Sequence, residues 1–249
     1  VKGGKNQDYK SLMGRSPMKK MFSYIIIFFV LCVAGSLALD SARARSVDEI
    51  PPYCLSFASI GAIFQESRLD AWAKIDSGIE KEAEINTVKA ALGLGKAVWT
   101  EKSSDKSSNY RLLQKSISYL ITWEQNTSEQ AILRISIKSS DPDTNLSLYE
   151  NRITGLAGHK WNFNYTISGE IPTIVDDPSM PILIDTLVKN LKGTRTNNYQ
   201  YGESWSATAT CFKKPVFLNY YCFESALKRE TENGKTRVWL GVPEIQNSY

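Results

Sequence analysis

Histidine occurs once in this 249-residue chain, at His159. One histidine excludes a zinc site of the His-Glu-x-x-His type and any site built on several imidazoles. It also leaves a Ser/His/Asp or Cys/His mechanism with a single available base. His159 lies in GLAGHKW, which reads as a loop entering a strand, and a structural or solvated role is expected for it. No serine sits in a G-x-S-x-G elbow. Phosphate-binding loops are also missing. Gly234-Lys235-Thr236 has the right ending, but Arg229 stands where the motif needs its first glycine. The segment that follows, TRVWLGV, reads as a strand rather than the required helix. Asn233-Gly234 is the composition of a hairpin turn. Ser103-x-x-Lys106 and Ser225-x-x-Lys228 lack the Lys-Thr-Gly companion of penicillin-recognising enzymes. The run Asp141-Pro142-Asp143-Thr144-Asn145 lacks the glycine and distant glutamate of a calcium loop. No metal site and no cofactor are therefore expected.

Long apolar runs are equally scarce. The one such run, Ile25–Leu39, is interrupted only by Gly35 and Ser36. It follows Lys19 and Lys20 and precedes Ala42-x-Ala44, whose small residues suit signal peptidase. A positive head, a short apolar middle and an A-x-A end describe a secretory signal peptide. An uncleaved membrane anchor is the rival reading, but a spanning helix needs ~20 apolar residues and this run is shorter. Val30-Leu31 lack the small residue that lipoprotein processing at Cys32 would need. Residue 1 is Val, and the polar stretch 1–17 reads as an extension upstream of a start at Met18. The expected organisation is an extension over 1–17, a signal peptide over 18–44, and one domain over 45–249 with a sub-boundary near 126–130. The Met-Lys-Lys head has a bacterial look, which points to a periplasmic or secreted protein with no stable membrane span after cleavage.

Removal of that leader changes the charge balance. The chain carries 30 Lys+Arg and 26 Asp+Glu. Seven of the cations and two of the acids lie within residues 1–44, leaving 23 against 24, a net −1. Without a positive field, nucleic acid is not an expected partner. Cys54, Cys211 and Cys222 remain, and an oxidising compartment favours one disulfide with one thiol left over. Cys211–Cys222 is the preferred bridge, since both residues lie in strand-like segments close in sequence.

The pattern changes near residue 128. Before it, Tyr53–Lys74 mixes apolar and polar residues without evident alternation. Ile85, Val88, Ala91 and Leu92 recur at helical spacing. EKSSDKSSN (101–109) reads as a polar loop, and Leu112–Trp123 suits a helix or a strand equally. After it, ILRISIK, WNFNYTIS and SWSATATC alternate with period two, as half-buried strands do. One helix interrupts over 178–192, with Asp177 as cap, Pro178 in the first turn and Gly193 at its end. No internal repeat is evident. The expected fold is α+β: a helical N-terminal part packed on a mainly antiparallel sheet, with one further helix near 178–192.

The surface signal that stands out is NNYQYGESW, Asn197–Trp205. Tyrosine and tryptophan among Asn, Gln and Glu supply rigid contact area and adaptable hydrogen bonds. Tyr199, Tyr201 and Trp205 are the expected binding residues. The leading reading is a non-catalytic binding or interaction module of the bacterial envelope, with a protein or glycan of that envelope as partner. The alternative is a carboxylate hydrolase of envelope polymers drawing on Asp141, Asp143, Glu170, Asp176 or Asp177. Asp141-Pro142-Asp143 suits a turn and Asp177 a helix cap.

The leader generates the first prediction. N-terminal sequencing of the exported protein should return Arg45 as the first residue. A mature chain that still carries Ile25–Leu39 would show an anchor instead.

Overall fold

Period-two burial governs most of the chain. In strand β1, Ile63–Asp76, Leu69, Ala71, Ala73 and Ile75 are buried, while Arg68, Asp70 and Trp72 between them stay partly exposed. The structure, a computed structural model, describes residues 52–76, 78–211, 220–243 and 245. The expected leader lies outside the described residues. Helix α1 (Pro52–Ser59) precedes β1, and helix α2 (Lys81–Ala91) follows it. Then come β2 (Thr100–Ser103), β3 (Ser107–Gln114), β4 (Ile117–Gln125), β5 (Gln130–Ser139) and helix α3 (Leu146–Thr154). The second part holds β6 (Asn162–Ile171), helix α4 (Ser179–Asn190), β7 (Thr194–Tyr201), β8 (Ser204–Thr210), β9 (Cys222–Glu230) and β10 (Lys235–Val242).

All ten strands join one antiparallel sheet in the order β2-β3-β4-β5-β1-β6-β10-β9-β8-β7. The expected antiparallel sheet and the helix near 178–192 are both present. The helical first part is not: before residue 128 the described residues hold two helices and four strands. β1 hides its alternation because Ala71 and Ala73, on the buried face, are weak apolar signals. The polar stretch 101–109 is itself a hairpin, pairing Lys102 with Asn109 and Ser103 with Ser108. Leu112–Trp123 resolves into the β3–β4 hairpin, turned at Lys115 with a φ of 54°. Asp176, rather than Asp177, caps α4: its Oδ1 accepts from Ser179 N at 3.1 Å.

The four helices among the described residues cover one face of the sheet. Glu82 of α2 accepts from Tyr110 of β3, and Glu150 of α3 accepts from Tyr165 of β6. Phe57 of α1 lies over Gly169 of β6, and Ile184 of α4 lines a cavity with Trp205 of β8. Tyr110, Tyr165, Gly169 and Trp205 all belong to the same face by register. Burial of Leu133, Ile135, Ile137, Val238, Leu240 and Phe223 on that face supplies the core. Among the described residues no helix is long and apolar enough to cross a membrane.

The strand order contains a repeat that the sequence does not display. Helix–strand–helix–four strands occurs twice: α1-β1-α2-β2-β3-β4-β5 and α3-β6-α4-β7-β8-β9-β10. In each copy the first strand pairs with the last, and the two first strands pair with each other at the centre of the sheet. Equivalent strands pairing antiparallel is the arrangement a two-fold axis produces. The helices follow it. α1 packs on α4, with Asn190 Nδ2 donating to Ser59 Oγ at 2.6 Å, and α3 packs on α2, with Arg152 Nη1 donating to Leu92 O at 3.0 Å.

At α2 and α4 the likeness reaches individual atoms. INTVKAALG (85–93) and IDTLVKNLKG (184–193) end in the same set of turns. Leu92, Gly93 and Leu94 N–H donate to the carbonyls of Val88, Ala90 and Lys89; Leu191, Lys192 and Gly193 donate to those of Leu187, Lys189 and Val188. Gly93 and Lys192 both adopt positive φ, 78° and 57°. Such bonds satisfy the orphan carbonyls of a helix end. Thr87 and Thr186 each return a hydrogen bond to the carbonyl four residues earlier, Ala83 and Ile182, at 2.9 and 2.8 Å.

Gly169 marks the closest approach in the central pair. A Cβ there would lie 2.8 Å from Ile63 O of β1 and 2.8 Å from the buried ring of Phe57. Gly169→Ala should therefore destabilise the protein by about 1–3 kcal/mol through overpacking. Urea denaturation measures this, and Gly78→Ala, where a Cβ meets nothing within 4 Å, serves as its control.

Candidate functional site

The hairpin β7–β8 carries the three aromatic residues expected to bind, and its register divides them. Tyr199 pairs with Ser206 and Tyr201 with Ser204, which places both tyrosines on the sheet face without helices. Trp205 pairs with Gln200 on the opposite face. Tyr199 and Tyr201 are 58% and 89% exposed, whereas Trp205 is 7% exposed. The indole packs beneath the Arg229 guanidinium, 4.8 Å from the ring centroid, and lines a cavity of about 110 Å³ with Ile184 and Arg195. Arg229 is held in turn by Asp177 and by Val175 O, to which its Nε donates at 2.8 Å. Trp205 thus belongs to the core with Ala207 and Ala209, and the two tyrosines form the exposed pair. The segment Asn197–Trp205 is an edge strand, its hairpin turn and the start of β8.

The same register decides the cysteines. Cys222 pairs with Thr210, and Cys211 N donates to Tyr221 O at 2.6 Å. Cys211 and Cys222 therefore point to opposite faces of neighbouring strands. Cys211 is buried with its thiol donating to Leu191 O at 3.3 Å, and Cys222 is exposed. Both are free thiols, as is Cys54, so the expected Cys211–Cys222 bridge is not formed. Burial raises the Cys211 thiol above its ordinary value.

The carboxylates considered for hydrolysis are each engaged structurally or stand alone. Asp141 Oδ1 accepts from Asp143 N at 3.0 Å within a turn. Glu170 pairs with Lys235 Nζ at 2.7 Å, Asp176 caps α4, and Asp177 pairs with Arg229. None of the five lines the cavity under β7–β8 or the two clefts described next. His159 packs its ring edge-on to Trp161 and meets Glu84 Oε1 at 3.0 Å, with a side chain only 6% exposed. It ties the approach to β6 to helix α2.

Sequence reasoning missed two adjoining clefts on the face opposite the described helices. Arg68, Asp70 and Trp72 of β1 line a cleft of about 290 Å³ with Leu120 of β4 and Arg134 and Ser136 of β5. A second cleft of about 520 Å³ shares Leu120 and Ser136 and extends to Arg111 and Lys138. Arg68 Nε holds Asp70 Oδ2 at 2.6 Å. Recognising β1 as a strand would have placed Arg68, Asp70 and Trp72 on one face. The sequence matches no protein-family model, and no curated protein matches it.

A buried polar cluster lies on the helix side. Tyr165 donates to Glu150 and packs edge-on against Tyr220, with centroids 6.3 Å apart. Burial pushes the Glu150 carboxyl above its ordinary value of 4.5, and the hydrogen bond from Tyr165 opposes that rise. Tyr165 is raised as well, first by burial and then by the carboxylate. The folded chain thus keeps the Glu150 proton at pH values where the unfolded chain has lost it. This group's contribution to stability is fully present below the unfolded value and is lost as pH rises through the folded one. Glu150→Gln removes the titration. Urea unfolding at stepped pH should show a shallower loss of stability above pH 4.5 in the variant than in the parent.

Proposed function

We propose that the chain is an exported, non-catalytic binding module of the bacterial envelope that takes an extended segment of a partner protein along the edge of strand β7. The observation that carries this reading is the contrast between the two edges of the sheet. β2 is short, four residues long, and includes Glu101 and Lys102. Short, charged edges resist pairing. β7 has eight residues, TRTNNYQY, every one exposed. It contains neither lysine nor proline, and its one charge, Arg195, is paired with Asp185 at 2.6 Å. A register shift between Arg195 and Asn197 disturbs only its first half. From Asn197 to Tyr201 the strand runs in regular register.

Along such an edge, alternate residues direct N–H and C=O groups away from β8, and an added strand can take them up. Main-chain bonds then supply affinity. Tyr199 and Tyr201, two residues apart and so ~7 Å apart along the strand, present rings on one face for side-chain selection. The A-x-A leader supports the envelope as the place where this happens. None of the carboxylates considered for hydrolysis lines the described clefts, and no observation favours that alternative.

Truncation separates the three aromatics. Tyr199→Ala and Tyr201→Ala should change unfolding free energy by no more than ~0.5 kcal/mol, because both side chains are exposed. Both should lose the partner recovered from envelope extracts by the parent protein. Trp205→Ala should cost ~3–5 kcal/mol through lost core packing. If both tyrosine variants retain the partner at parental affinity, the edge is not the binding surface.

A further inference from the structure

We infer that the cleft on the helix-free face of the first repeat is a second binding site, independent of β7, for an acidic carbohydrate. The register builds it from three parallel rows across β1, β5, β4 and β3. Arg68, Lys138 and Ser118 form one row; Asp70, Ser136, Leu120 and Arg111 the next; Trp72, Arg134 and Thr122 the third. On the middle strands short side chains alternate with long ones: Ser136 stands between Arg134 and Lys138 on β5, and Ser118 and Thr122 flank Leu120 on β4. The result is a basin in the middle of a sheet face, where a uniform row of long side chains would leave a flat surface.

Its chemistry is specific in three respects. Four cations, Arg68, Lys138, Arg111 and Arg134, line the two joined clefts, against one lining carboxylate, Asp70, and Lys138 Nζ is held from outside the clefts by Glu66 at 3.2 Å. Arg111 has no carboxylate partner among the described residues, and Arg134 reaches Glu124 only at 3.7 Å. Arg68 meets Asp70 through Nε, so its two terminal nitrogens retain their fork for an anion. Secondly, Ser136 Oγ is buried and has no hydrogen-bond partner, at the position the two clefts share. A buried hydroxyl left without a partner costs free energy, and rotation of the Ser136 side chain toward the cleft would let a ligand hydroxyl satisfy it. Thirdly, Trp72 supplies an aromatic surface, partly exposed, beside that polar floor. Guanidinium groups for carboxylates, short hydroxyls for ring hydroxyls and an indole for the apolar face of a sugar ring match a uronic-acid saccharide. The two cleft volumes, about 290 and 520 Å³, suit a ligand larger than a simple inorganic anion.

Calorimetric titration of the mature protein with tetragalacturonate tests the assignment, with maltotetraose as the neutral control and inorganic phosphate as the simple anion. Saturable binding of tetragalacturonate is expected, with maltotetraose and phosphate weaker by about tenfold or more. Arg134→Gln and Arg111→Gln, both at exposed positions, should each weaken it by about tenfold, since each removes a charge-assisted hydrogen bond. Ser136→Ala should weaken binding without lowering the melting temperature, because it deletes an unsatisfied hydroxyl. Tyr199→Ala should leave this binding unchanged. No saturable binding of tetragalacturonate overturns the inference, as does binding that survives the Arg111→Gln/Arg134→Gln double variant. Phosphate or maltotetraose binding as tightly as tetragalacturonate overturns the carbohydrate assignment.

Discussion

The antiparallel pairing of β1 with β6 is the contact on which the rest of the molecule depends. It runs from Ile63↔Glu170 to Trp72↔Asn162 and is the one ladder that joins the two repeats. Each repeat alone is a five-stranded sheet whose first strand would present a bare edge, an invitation to uncontrolled pairing. Joining the two bare edges removes both. The helices then bind the join from one side, because α1 reaches α4 and α3 reaches α2 across the repeats. Neither half could keep its first helix packed without the other. Gly169 follows from this constraint: where α1 crosses the central pair, the Phe57 ring and the β1 backbone leave no room for a Cβ.

With the four described helices on one side, the exposed surfaces among the described residues include the part of the opposite face around Arg68 and Arg134 and the edge strand β7, while Asn164, Thr166, Ser204, Ser206 and Ala226 on that opposite face are buried. A site made on a sheet face differs from one made at a domain interface, because its depth comes from side-chain length alone. Ser136 and Thr122 create depth by being short between Arg68, Trp72 and Arg134. Edge surfaces follow a different logic, in which backbone groups supply the bonds and side chains such as Tyr199 and Tyr201 select.

Much of the second half could be read from the sequence. SWSATATC, WNFNYTIS and the apolar stripe of α4 have strong periodicity, and Trp205 falls on the buried side that its alternation with Ala207 and Ala209 implies. The first half was less legible for identifiable reasons. β1 buries alanines at 71 and 73, so its inward face looks weakly apolar. β2 and β3 open with serines and charges, and the register that makes them a hairpin is set by pairing rather than by composition. The cysteines illustrate a further limit. Proximity in sequence favoured Cys211–Cys222, but facing depends on a one-residue offset in pairing that only the assembled ladder decides. Tyr199 and Tyr201 were legible as exposed aromatics; their separation from Trp205 by the sheet was not.

The repeat explains how one scaffold can hold two unlike surfaces. Equivalent helix ends at Leu92–Leu94 and Leu191–Gly193 keep the same carbonyl pattern, down to a positive φ at Gly93 and at Lys192. Those positions answer to the packing that both halves share. The opposite faces carry different residues in the two repeats. In the first repeat that face carries Arg68, Arg111, Arg134 and Lys138; in the second it carries Ser204, Ser206, Thr208 and Ala226 together with Lys228, Lys235 and Arg237, of which Lys235 and Arg237 are paired with Glu170 and Glu230. The edges have diverged in the same way, β2 shrinking to four charged or polar residues while β7 keeps eight nearly uncharged ones. Positions under the helices are held by the core, and positions away from them were free to become sites. The surfaces assigned to ligands here are those on which the two repeats no longer agree.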